Sequence, residues 1–117
     1  MRWRARPFRL MFCLAAGIAG ALPANAAGDY PTTALADYVL GCMQSNGQTR
    51  DSLERCSCSI DVIASIMPYD DYERAETFRR MAQLNGEASG LFRESAPAKT
   101  AGSALRRAQA EADVRCF

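Results

Sequence analysis

Histidine is absent from the 117 residues of this chain. The commonest general base and the commonest transition-metal ligand are therefore both missing. Long apolar stretches are missing too. The run from Leu10 to Leu22 covers 13 residues, whereas a resident membrane helix needs about 20. No period-2 pattern of useful strand length, no internal repeat and no low-complexity tract occurs. There is no D-x-D-x-D-G loop, which excludes an EF-hand. No catalytic constellation stands out anywhere, and the expectation is a protein that is not an enzyme.

What is present begins with an export pattern. Arg2, Arg4, Arg6 and Arg9 precede the apolar run, and Pro23-Ala24-Asn25-Ala26 places small residues where a signal peptidase reads them. Cleavage is expected after Ala26, giving a signal peptide over residues 1–26 and a single helical domain over residues 27–117. Cys13 leaves with the signal, and no stable membrane anchor is expected after cleavage. The pattern is bacterial in character, so the expected destination is the periplasm.

Residues 27–117 carry 10 basic and 13 acidic side chains, a net charge of −3. A mildly acidic body argues against nucleic acid or an anionic membrane as partner, since either favours a basic face. A single core of this size is marginal, so cross-links are physically useful.

Turn and cap residues divide this body into helical pieces. Pro31-Thr32-Thr33 can start a first helix with Leu35, Tyr38, Val39 and Cys42 on one face, and Asn46-Gly47 can close it in a left-handed cap. Thr49 can cap a second helix running to about Met67, with Leu53, Cys56, Ile60, Ile63 and Met67 inward, widened by Val62 and Ile66. After Pro68, Asp70 and Glu73 read as a capping box. A third helix would turn Ala75, Phe78, Met81 and Ala82 inward and end near Asn85-Gly86. A short helical turn can form around Leu91 and Phe92. Ser95-Ala96-Pro97 can begin a last helix with Ala98, Ala101, Leu105, Ala108 and Ala112 at helical spacing. The expected fold is all-α, a small bundle of four or five helices stabilised by disulfides.

Four cysteines remain outside the signal: Cys42, Cys56, Cys58 and Cys116. In an exported chain an even count reads as disulfides. Cys56 and Cys58 lie about 200° apart around a helix and should not pair with each other. Cys42–Cys56 with Cys58–Cys116 is favoured because Cys56 shares the Leu53/Ile60 stripe. The exchange, Cys42–Cys58 with Cys56–Cys116, is the rival. Other uses of the same residues are weaker readings. A zinc site normally pairs two closely spaced cysteine motifs, and only Cys56-Ser57-Cys58 is close. Copper(I) could take Cys56 or Cys58 with Met43 or Met67. A thiol–disulfide exchanger would want C-x-x-C at a helix start.

The densest polar stretch is Tyr69 to Glu76, where Asp70, Glu73 and Glu76 recur every three residues. Such carboxylates could bind a hard cation, calcium or a lanthanide, through oxygen, with Asp51, Glu54 and Asp61 as possible supplements. Against this, acidic residues in a first turn are favoured by the helix dipole, and Arg74, Arg79 or Arg80 can neutralise the rest. Tyr69 and Tyr72 could mark a partner-binding edge.

The segments Tyr38-Val39-Leu40-Gly41-Cys42-Met43, Cys56 to Ser65, Pro68-Tyr69 and Arg80-Met81 resemble small exported cysteine-containing proteins of alphaproteobacteria found beside methanol-oxidation and lanthanide-handling functions. The resemblance implies a periplasmic accessory or metallochaperone role serving a quinoprotein dehydrogenase, and carries no ligand residues with it. The leading expectation is a non-enzymatic periplasmic accessory protein that binds a hard metal ion, a partner protein of a periplasmic oxidation system, or both. The alternatives are a small acid-stress-type periplasmic chaperone and a thiol-disulfide redox protein.

Overall fold

Five helices follow one another: α1 (Thr32–Asn46), α2 (Arg50–Ile66), α3 (Tyr69–Ala82), α4 (Ala88–Glu94) and α5 (Ala96–Cys116). The computed structural model describes residues 29–117, so the expected signal peptide lies outside the described residues. There are no strands among the described residues. This is an all-α, disulfide-stabilised bundle.

Local chemistry accounts for most of the boundaries. Thr49 caps α2, its hydroxyl accepting from the Ser52 amide at 3.1 Å. The Ser52 hydroxyl donates to the Asn46 carbonyl at 2.9 Å, so the cap also grips the end of α1. Ser95 caps α5 by accepting from the Ala98 amide at 3.4 Å, with proline in the first turn where a missing N–H costs nothing. Gly47 ends α1 at φ 102° and ψ 157°, an extended region open to glycine rather than the left-handed helical cap expected.

The predicted capping box does not form. Pro68 holds φ at −60°, and its carbonyl accepts from the Asp71 and Tyr72 amides at 3.1 and 3.2 Å. The helix therefore opens at Tyr69, which places Asp70 inside the first turn, where the dipole favours it without a cap bond. α3 also stops earlier than expected. Its end tightens through Gln83 N–H to Arg80 and Leu84 N–H to Met81, and Arg93 donates to the freed Ala82 carbonyl at 3.2 Å.

α2 is the central post, packed between α1 and α5, while α3 lies against α5 and α4. Cys56, Ile60, Ile63, Ala64 and Met67 of its stripe are buried, but Leu53 and Ile66 are exposed. The inward face is narrower than expected because Ser52 and Ser59 occupy part of it. Ala98, Leu105, Ala108 and Ala112 of α5 are buried as predicted, and small side chains let that helix approach α2 closely. In α3 Tyr72 and Ala75 are buried, whereas Met81 turns outward. Phe78 packs instead on Phe92 of α4, ring centroids 6.2 Å apart.

Two disulfides fasten the post on opposite sides. Cys42–Cys56 joins α1 to α2 and Cys58–Cys116 joins α2 to the end of α5, with Cα separations of 5.8 and 5.9 Å. This is the favoured pairing: Cys56 and Cys58 face different helices, and Cys56, on the buried stripe with Ile60, is the one that meets Cys42.

Candidate binding cleft

α1 has no fully buried residue; Leu35, Tyr38 and Val39 pack half-buried on the core, and both ends are fastened. At its start Tyr30 is buried, donates to the Met67 carbonyl at 3.0 Å, and meets Tyr69 and Tyr72 with ring centroids 5.2 Å away in each case. Near its end stands the Cys42–Cys56 bond. Between these fastenings a cleft of about 470 Å³ opens among α1, α3 and α5.

Each helix presents one polar stripe to this space. α1 contributes Asp37, Tyr38, Gly41 and Ser45; α3 contributes Tyr72, Glu76 and Arg79; α5 contributes Gln109 and Asp113. Ser59 of α2 lines it as well, and Phe117 borders it, held by the Arg55 guanidinium 5.8 Å from its ring centroid. Gly41 keeps the α1 wall low, since a Cβ there would meet nothing within 4 Å.

Charge in the cleft is unevenly answered. Glu76 is largely buried and takes Arg79 in a forked pair, 2.6 Å from Nη2 and 3.1 Å from Nε. That hydrogen bond raises the affinity of the Arg79 guanidinium for its proton. Asp37 pairs with Arg80 across the α1–α3 gap at 2.7 Å. Among the described residues the Asp113 and Gln109 side chains have neither ion pair nor hydrogen bond.

The phenols respond to these surroundings. Burial pushes the Tyr72 hydroxyl well above its ordinary pKa, and Glu76 adds to the shift. Tyr38 is raised by burial and then by Asp113, with the neighbouring Ser59 hydroxyl opposing. Tyr30 is pushed up to about 12 by burial, then by Asp71. All three stay neutral at physiological pH and act as hydrogen-bonding groups.

The expected carboxylate trio is not assembled. Three-residue steps each turn a helix by about 300°, so Asp70 and Glu76 end about 120° apart. Glu73 and Glu76 line a second groove of about 360 Å³ between α1 and α3, and Asp70 is not part of its wall. Asp51 and Glu54 are paired with Arg55 and Arg50 on the surface. Among the described residues no group of three or more His, Cys, Asp or Glu side chains stands ready to hold a metal ion. With all four cysteines in disulfides, the described body also presents no thiolate for zinc, copper or exchange chemistry.

The residues that build the cleft were only partly visible beforehand. Tyr38 reads as core, and Tyr72 only as a possible partner-binding edge. Gln109 and Asp113 carry a faint signal, a polar pair four apart beside the alanine stripe. The cleft depends on how α1 leans, which no local pattern encodes. Comparison with protein-family models, with curated proteins and with solved structures yields no match. No helix of the described residues is long and apolar enough to cross a membrane.

Proposed function

We propose that this chain is a non-enzymatic periplasmic binding protein, accessory to a periplasmic oxidation system, and that it binds in the cleft among α1, α3 and α5. One observation carries the reading: an open space of about 470 Å³ whose walls offer unengaged polar groups but no nucleophile beside a base. With no histidine in the chain, a hydroxyl would need a carboxylate as base, and the Ser59 hydroxyl is already turned to the Arg55 carbonyl at 3.1 Å. Pockets with a few convergent polar groups are the usual form of a small-molecule site. Export is supported by the signal pattern and by the disulfides, which persist in oxidising compartments. The accessory role is supported by the resemblance of the segments around Cys42, Cys56 and Cys58.

The test is genetic and structural together. Deleting the gene should slow growth that depends on periplasmic oxidation, and the wild-type gene should restore it. A Gly41→Phe gene should not restore it, because the added ring fills the cleft where a side chain meets open space. The variant must still reach the periplasm with all four cysteines resistant to alkylation. Full rescue by Gly41→Phe, or a reactive-thiol protein in the cytoplasm, would sink the proposal.

A further inference from the structure

We infer that the cleft selects a small organic ammonium ion, seated beside Asp113 against the Tyr38 ring and the Tyr38 and Tyr72 hydroxyls. The inference rests on the binding role just proposed and names the chemistry of its ligand.

The first argument is an unengaged polar group. Tyr72 is only 6% exposed, yet its hydroxyl has no hydrogen-bond partner among the described residues. No sealed side-chain nitrogen or oxygen among them lacks a partner. The Tyr72 hydroxyl therefore reaches open space, and the spaces it borders are the cleft and the adjoining groove. Its hydrogen-bonding capacity is therefore open to whatever occupies that space, water or a ligand group.

The second argument is the sign of the field. Of the three carboxylates on the cleft walls, Asp37 is answered by Arg80 and Glu76 by Arg79, which leaves Asp113 as the uncompensated charge. Tyr38 and Tyr72 hold their protons mainly because they are buried, with Asp113 and Glu76 adding to the effect. An anion would meet repulsion here.

The third argument separates an organic cation from a metal ion. A hard metal ion needs several oxygens at short, fixed distances, and no such group exists among the described residues. An ammonium group tolerates longer contacts, donates N–H bonds to carboxylate and phenol oxygens, and gains from aromatic faces. Tyr38 and Phe117 line the cleft with aromatic surface, while the Tyr72 ring is packed against Tyr30 and Tyr69.

The experiment is a ¹H–¹⁵N NMR titration of the mature, disulfide-intact protein with benzylammonium, benzyl alcohol and benzoate, three probes of one shape and different charge. Benzylammonium should give saturable shifts centred on the Tyr38, Gly41, Tyr72, Glu76 and Asp113 amides, weakening with added salt. Benzyl alcohol should bind far less and benzoate least. Asp113→Asn, a change at an exposed side chain, should weaken benzylammonium roughly fivefold or more while leaving thermal stability unchanged. Tyr72→Phe should weaken it as well, with both disulfides retained.

Equal responses to all three probes would overturn the ammonium inference and leave the cleft as a binding site. Absence of any saturable response to benzylammonium at the cleft amides would also overturn it, and the Gly41→Phe rescue test would then judge the binding role separately. Saturation by terbium at the same amides in the low-micromolar range would overturn it in favour of a metal ion.

Discussion

The Tyr30 hydroxyl donates to the Met67 carbonyl at 3.0 Å and so ties the start of α1 to the end of α2. Met67 is the C-cap residue of α2, and its carbonyl is one that no helical amide satisfies. Tyr30→Phe keeps the ring among Tyr69 and Tyr72 and removes only this bond. Urea unfolding should show a loss of about 1 kcal/mol. Amide exchange should accelerate first in the opening turn of α1. An unchanged midpoint and exchange pattern would mean that the ring alone fastens this end.

The disulfides differ in the length of chain they close, with sequence separations of 14 and 58. Paired alanine replacement should cost about 3 kcal/mol for Cys42 with Cys56 and about 4 kcal/mol for Cys58 with Cys116 in the chain-entropy account. Single replacements test the pairing directly. Cys56→Ala should leave Cys42 as the alkylatable thiol, and Cys58→Ala should leave Cys116. The exchanged result would establish the rival connectivity.

High pH should weaken the fold through the tyrosines. Tyr30 holds its proton up to about 12 in the folded state, against an ordinary value of 10.0. Between these values the unfolded chain binds fewer protons than the folded one, so stability falls as pH rises. The contribution is complete below pH 10 and lost as pH passes through about 12. Tyrosinate absorbance at 295 nm should show late titration that becomes ordinary in urea. A native curve identical to the unfolded one would refute the packing of Tyr30, Tyr38 and Tyr72.

The caps should separate clearly on mutation. Thr49→Ala should cost about 1 kcal/mol, because it removes the bond to the Ser52 amide and disturbs the Ser52–Asn46 link. Asp70→Asn should cost no more than about 0.5 kcal/mol, the scale of a dipole interaction alone. Chemical denaturation of the two variants side by side measures the difference. Equal losses would restore the capping box.

Much of the fold was legible because it is written in local chemistry. Thr49 and Ser95 each have the right side chain one position before a helix, and proline after Ser95 agrees with it. The opposed faces of Cys56 and Cys58 follow from helical pitch and need no knowledge of neighbours. Asp70 misled because Pro68 can open a helix with its own carbonyl, a competing start that the capping-box pattern does not weigh. Leu53 misled because Ser52 and Ser59, polar but satisfied, took part of the buried face. The cleft was the least legible feature. Its walls come from three helices brought together by contacts distant in sequence, and Tyr38 and Tyr72 look alike in sequence whether they fill a core or border a void.

The two fastenings of α1 fail under different stimuli. The tyrosine cluster at Tyr30 gives way to alkali, and the Cys42–Cys56 bond gives way to a reductant. A reductant at neutral pH leaves the tyrosine cluster intact, and alkali reaches the tyrosines without a reductant, so α1 is a door with a hinge at either jamb. Under alkali it should swing about Cys42; after reduction it should swing about Tyr30. Both treatments together should loosen it furthest from α2, where Leu35, Tyr38 and Val39 still pack, and spin labels on Asp37 and Gln109 would read the three states as three distances.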